Sequence, residues 1–415
     1  MTELTIQVDP AELGLDKERL KRIDAHFAGY VEDGRLAGWL LTIGRHGRLA
    51  HVARCGSRDL EAGLPVTDDT LWRIYSMTKP ITSVAAMILY EEGKLALTDP
   101  VSAFIPAFKD VRVYDGGSDQ KQVTVPAMEP VRIWHLLTHT AGLTYGFHRV
   151  HPVDALYRAA GFEWGTPPGL DLAQVCDLYA GFPLLFQPGA EWNYSVATDV
   201  LGRVVEVASG QCLDEFLSTR IFRPLGMTDT AFWADPTAQQ RLAALYRPGQ
   251  DGKATRLDAL GQAALKQPRM LGGGGGLVST AADYNRFVQM LLRTDASPAG
   301  EYNGVRLLGP RTVGYMARNH LPGGPDLETF GRPLYAESPF RGVGFGLGFA
   351  VLLDPVPGKV IGTAGELSWG GAASTTFWID QAEGLTVSFF TQLLPSSTHP
   401  IRPRLRQLVY QALTD

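Results

Sequence analysis

The chain has 415 residues, of which 45% are hydrophobic and 20% charged, with a formal net charge of −5. This is the composition of a soluble globular protein, long enough for two domains or for one large core with an inserted region. Charges of both signs are interspersed and no apolar stretch reaches the roughly 20 residues that span a bilayer, so neither nucleic acid nor a membrane is an expected partner.

Met1 to Pro10 lacks a basic segment followed by an apolar one and does not read as a secretory leader. Asp16 to Asp33 reads as an amphipathic helix, with Leu20, Ile23, Phe27 and Val31 at spacings of three and four. Leu40 to Ile43 and Leu49 to Ala53 read as strands of a hairpin around Arg45-His46-Gly47-Arg48. The apolar run Leu71 to Tyr75 leads to Ser76-Met77-Thr78-Lys79, at the entrance of an apolar helix extending to Tyr90. This spacing sets a hydroxyl and an amine on one face of a first helical turn, as needed for an amine to take a proton from a serine nucleophile. The positive end of the helix also favours the neutral, proton-accepting amine. Ser118-Asp119-Gln120-Lys121 has the same spacing but lies in a polar Gly-rich turn with nothing to exclude water.

From about Asp99 to Leu271 the chain reads as helical and loop-rich, with helices at Ile133 to Thr138, Leu172 to Tyr179, Thr198 to Ala208 and Leu213 to Ile221. His135 and His139 lie four apart, yet the Glu of a zinc-binding His-Glu-x-x-His is absent, and structural histidines are expected. Tyr194 follows the turn Gln187-Pro188-Gly189 and precedes a helix, so its phenol can project into a cleft and pass protons to Ser76 and Lys79. Gly272 to Gly276 lacks the Lys-Ser/Thr of a phosphate loop and reads as backbone that must curve beside a cleft.

Helices follow at Ala281 to Leu292 and Pro310 to Arg318, then strands at Gly344 to Leu352, Val360 to Gly362, Thr375 to Asp380 and Leu385 to Thr391, and a last helix from Ile401 to Leu413. Trp369-Gly370-Gly371 reads as glycines entering a strand, where substrate approaches backbone and a following N–H donates to an oxyanion. Residues 1–70 and 271–415 are expected to form a sheet domain built from both chain ends, with 71–270 a mostly helical region that includes the nucleophile helix. Cys55, Cys176 and Cys212 are odd in number and widely spaced; free thiols and a cytoplasmic location fit.

Taken together, these motifs resemble those of the serine β-lactamase and penicillin-binding superfamily, and in particular the class C β-lactamase-like esterases called family VIII carboxylesterases. Ser76-x-x-Lys79, Tyr194-Ser195-Val196 and Trp369-Gly370-Gly371 stand in the order and spacing of the family's three motifs, with His135 to Leu143 and Gly273 to Asp283 as supporting likenesses. The resemblance implies an α+β fold of the β-lactamase-like kind. An antiparallel sheet flanked by helices would lie beside a mostly helical domain, with the active site in the cleft between them. It also implies Ser76 as acylated nucleophile, Lys79 as general base and Tyr194 as proton shuttle, with an oxyanion hole from the N–H groups of Ser76 and Ala372. Hydrolysis through an acyl-enzyme is implied, with no metal or cofactor.

Two departures bear on substrate. Val196 stands where β-lactamases and peptidases usually have Asn, and Trp369 replaces a cation that would pair with a carboxylate. Both favour small uncharged esters over anionic amides, hence a carboxylesterase for short acyl chains with at most weak β-lactamase activity. Trp369, Gly370, Gly371, Tyr145 and Phe147 are the expected substrate-binding residues, with Tyr157 and Trp164 further candidates for the pocket wall. The rivals are a D-stereospecific peptidase or amidase, a β-lactamase using the same residues, and a non-catalytic scaffold. The sequence carries no signal for oligomeric state.

Overall fold

Asp16 caps the first long helix, α1 (Lys17–Glu32), its carboxylate accepting the Arg19 N–H at 3.0 Å. Such a cap contributes about 1 kcal/mol. The computed structural model describes residues 4–332 and 340–415, so the first three residues of the Met1–Pro10 segment lie outside the described residues. After α1 come β1 (Gly38–Arg45) and β2 (Arg48–Asp59), joined through His46 and Gly47 at φ 51° and 80°. Two consecutive positive φ values are what a tight hairpin turn of matching twist requires.

β3 (Leu64–Pro65), β4 (Leu71–Arg73) and the helix α2 (Thr78–Glu91) follow. The middle of the chain carries the helices Ile133–Leu137, Pro152–Ala159 and Leu172–Gly181, then α3 (Ala197–Ser209). The helix expected over Leu213 to Ile221 is split: Leu213–Leu217 is α-helical and Ser218–Phe222 widens into a π turn. β5 (Val278–Thr280) pairs with β4 and leads into α4 (Ala281–Leu291).

The last third supplies β6 (Val343–Phe345), β7 (Ala350–Leu352), β8 (Leu367–Gly370), β9 (Thr376–Asp380), β10 (Leu385–Phe390) and the helix α5 (Ile401–Tyr410). One eight-stranded sheet runs β6-β7-β8-β9-β10-β1-β2-β3, every neighbouring pair antiparallel. β10 pairs with β1, Phe390 opposite Leu40, so strands from both ends of the chain meet at its centre.

Two expectations are corrected here. The run Gly344 to Leu352 is two strands, because Gly348 at φ 104° turns the chain back between β6 and β7. Val360 to Gly362 is not a strand, and β8 is the neighbour that pairs with β7 instead.

Side-chain alternation gives the sheet two faces. On one, Trp39, Leu41, Ile43, Val387 and Phe389 pack with α1 and α5, the Phe27 and Phe389 rings 4.8 Å apart. On the other, Leu40, Phe377 and Phe390 join α2 and α4 in the larger core. No helix among the described residues is long and apolar enough to cross a membrane.

Candidate active site

Every residue of α2 from Thr78 to Leu89 is buried, as an apolar helix wedged into a core must be. Ser76 precedes it, and its placement differs from the sequence expectation: it is the central residue of a 3₁₀ turn, Tyr75–Met77, rather than part of the α-helical first turn. Tyr75 holds φ at 42°, a left-handed conformation costly for an aromatic residue and of the kind that collects at functional sites. Lys79 is 1% exposed. Its Nζ lies 2.6 Å from Gly274 O, 3.0 Å from Tyr145 Oη and 3.4 Å from Ser76 Oγ. The competing pair falls away, since Ser118 sits exposed at the tip of the hairpin Arg112–Gly117 and Gln122–Pro126.

Tyr194 reaches Ser76 from the segment before α3, its hydroxyl donating to Ser76 Oγ at 2.6 Å. The backbone behind it is fixed from several sides. His148 Nε2 donates to Tyr194 O at 2.7 Å, and Asn193 Nδ2 donates to Leu143 O at 2.9 Å. His139 Nδ1 meets Ser195 Oγ at 3.2 Å while its ring packs 5.0 Å from that of Tyr194. Burial holds His139 well below the usual imidazole range, with Lys79 adding to the effect, and holds His135 down to about 3. Both are neutral at pH 7. His135 Nδ1 accepts the Arg132 N–H at 3.0 Å, closing the start of its helix. Among the described residues no group of three or more His, Cys, Asp or Glu is placed to hold a metal ion.

Trp369 and Gly370 close β8, and Gly371 opens the turn that leads to β9; the glycines therefore leave one strand rather than enter the next. A Cβ on Gly371 would stand 2.5 Å from Ile74 O, so the missing side chain lets this turn abut the backbone just before Ser76. Ala372 follows and lines the same cavity as Ser76. The Trp369 ring lies 5.3 Å from that of Tyr194, and alternation turns Gly370 to the opposite face, toward the Arg402 guanidinium. Arg402 donates to Gly371 O at 3.2 Å and to Thr375 O at 3.3 Å.

The cavity over these groups has a volume of about 920 Å³. Tyr145, Phe147 and Trp164 form one wall as a ladder of stacked rings, with centroids 4.7 Å and 4.9 Å apart, ending on the half-exposed Trp164. Tyr157, a further candidate for the wall, is instead buried in the helix Pro152–Ala159, stacked on Tyr179. Gly272 and Gly274 to Gly276 also line the cavity. Sequence reasoning did not anticipate the Tyr145 contact with Lys79 or the bond from Asp199 to this glycine run. Asp199 sits in the first turn of α3, where a carboxylate reads as an ordinary helix-start residue.

The Beta-lactamase family model matches residues 23–411. Esterase EstB of Burkholderia gladioli is 33% identical over 97% of this chain and 98% of its own length. Lovastatin esterase of Penicillium rubens is 31% identical over 88% of this chain and 90% of its own. Among solved structures, EstCE1, described as a hydrolase with promiscuous acyltransferase activity, superposes with a TM-score of 0.78 at 28% identity. That match covers 95% of this chain and 98% of the other.

Proposed function

The chain belongs to the Beta-lactamase family, and we propose that within it this serine hydrolase is a carboxylesterase of short-acyl, uncharged esters. Ser76 is the nucleophile, Lys79 its general base and Tyr194 the proton shuttle. The observation that carries this reading is the geometry at Ser76 Oγ, which accepts from Tyr194 at 2.6 Å and faces Lys79 Nζ at 3.4 Å, under a cavity walled by aromatic rings.

With Tyr194 donating to Oγ, the serine's own proton is directed at the amine of Lys79. Attack on an ester carbonyl then moves that proton to Nζ, and the N–H groups of Ser76 and Ala372 hold the oxyanion. Tyr194 hands a proton to the departing alkoxide. Water, activated by the same pair, then cleaves the acyl-enzyme to release the acid.

Trp369 presents an indole where a carboxylate-pairing cation would stand, which supports an uncharged substrate. Turnover of p-nitrophenyl butyrate, nitrocefin and a D-Ala-D-Ala peptide tests the reading: the ester is expected to be cleaved fastest, and faster peptide or β-lactam cleavage overturns it. A second reading, acyl transfer to an alcohol, is favoured by the cavity of about 920 Å³, which leaves room for an acceptor beside a short acyl group. The description of EstCE1 points the same way. It predicts a mixed ester product when a bulky primary alcohol is added to the p-nitrophenyl butyrate reaction.

A further inference from the structure

The glycine run is packed hard against the start of α3. A Cβ on Gly273 would lie 2.8 Å from Thr198 O, and one on Gly274 would lie 2.8 Å from Asp199 Oδ2. Only glycines let this strap lie flat on the helix. Three bonds fix it there. Thr82 Oγ1 donates to Gly273 O at 2.8 Å, Gly274 N donates to Asp199 Oδ1 at 2.9 Å, and Gly274 O accepts Lys79 Nζ at 2.6 Å. Gly274 thus stands between a buried carboxylate, bound by its N–H, and a buried amine, bound by its carbonyl, that make no direct ion pair.

We propose that Asp199 is a positioning residue for Lys79, acting through the backbone of Gly274. The inference rests on Lys79 acting as base toward Ser76. A neutral amine has two hydrogens and one lone pair. Gly274 O and Tyr145 Oη are two acceptors beside Nζ; with one hydrogen committed to each, the lone pair is left for Ser76 Oγ. Asp199 holds Gly274 in place through its N–H, and with it the position of the carbonyl that accepts Lys79. The same buried carboxylate compensates the positive charge that Lys79 gains when it takes the serine proton. Burial raises the Asp199 pKa, while Lys79 and the Gly274 N–H oppose that rise.

The test is the rate at which a fluorophosphonate labels Ser76, followed by mass spectrometry from pH 5 to 10 in the wild type, Asp199→Asn and Gly274→Ala. This readout needs no knowledge of the ester. Asn keeps an acceptor for Gly274 N–H and removes the charge. The methyl of Gly274→Ala pushes the strap off the carboxylate. In each variant the limiting labelling rate at high pH is expected to fall about tenfold, and the acid limb to move to lower pH by about half a unit or more. A residue that merely packed the helix would leave the limb in place. A labelled wild type with the same rate and limb in a folded Asp199→Asn overturns the inference alone; if that variant does not fold, Gly274→Ala decides by the same criterion. No labelling of the wild type removes the nucleophile reading itself, and the inference with it.

Discussion

Tyr194 Oη stands 2.6 Å from Ser76 Oγ and donates to it, while Tyr194's ring lies 4.6 Å beneath the Lys79 amine. The phenol thus bonds the serine with its hydroxyl and faces the amine with its ring, and in the proposed reaction it is the proton shuttle. Tyr194→Phe keeps the ring and removes the hydroxyl. The expected result is a fall in kcat of about 10²- to 10⁴-fold for p-nitrophenyl butyrate with KM changed little. An unchanged kcat would remove Tyr194 from the proton path.

Much of this arrangement is legible in the sequence because it is local. The spacing of Leu20, Ile23, Phe27 and Val31 delimits α1 to within a residue. The apolar surroundings of Ser76 separate it from Ser118, which lies exposed. What is not legible depends on contacts distant in sequence. Gly348 splits an apolar run into β6 and β7 only because its positive φ is used, and no local pattern shows that it will be. The Tyr145 contact with Lys79 spans 66 residues, and the Asp199 bond to Gly274 spans 75. Tyr157, read from its neighbours as a possible pocket residue, is drawn into the core by Tyr179 and Phe182.

Tyr145 offers its oxygen to Lys79 at 3.0 Å, and burial pushes its own pKa well above 10, so it remains a neutral hydroxyl. Tyr145→Phe leaves one amine hydrogen without its acceptor. A loss of about 1.4 kcal/mol, or tenfold in kcat/KM, is expected in steady-state kinetics. An effect below twofold would place the contact outside the proton path.

Trp369 carries the specificity argument. Trp369→Lys places a cation in the wall of the site, at the expense of ring contacts with Tyr194 and Phe345, both at 5.3 Å. The ratio of nitrocefin to p-nitrophenyl butyrate turnover is expected to rise about tenfold or more, chiefly through loss of ester cleavage. A ratio that stays constant would mean that this position does not select for charge.

Gly371 tests whether close backbone approach matters. Gly371→Ala places a methyl against the Thr375 hydroxyl and 2.5 Å from Ile74 O, so the turn must retreat from the Ile74–Ser76 segment. Overpacking of this kind costs about 1–3 kcal/mol, measurable by urea unfolding, and the displaced Ala372 N–H should lower kcat more than it raises KM.

Asp283, away from the site, gives the protein a pH-dependent stability with a defined sign. Burial raises its pKa to about 6, against partial compensation from the Asp229 N–H and the Thr230 hydroxyl, which donate to Oδ2 at 2.7 Å and 2.9 Å. Its other oxygen, Oδ1, has no hydrogen-bond partner among the described residues, which suits a protonated carboxyl. The unfolded chain releases this proton near pH 4, the folded one near pH 6, so the folded state holds more protons between the two. The contribution is therefore fully present below pH 4 and is lost as pH rises through 6. Asp283→Asn cannot titrate. In urea unfolding from pH 3.5 to 7.5, the stability of the wild type minus that of Asp283→Asn should fall by on the order of 3 kcal/mol and level off above pH 7. A difference that is flat across this range would show that folding leaves the Asp283 pKa at its ordinary value, and one that rises with pH that folding lowers it.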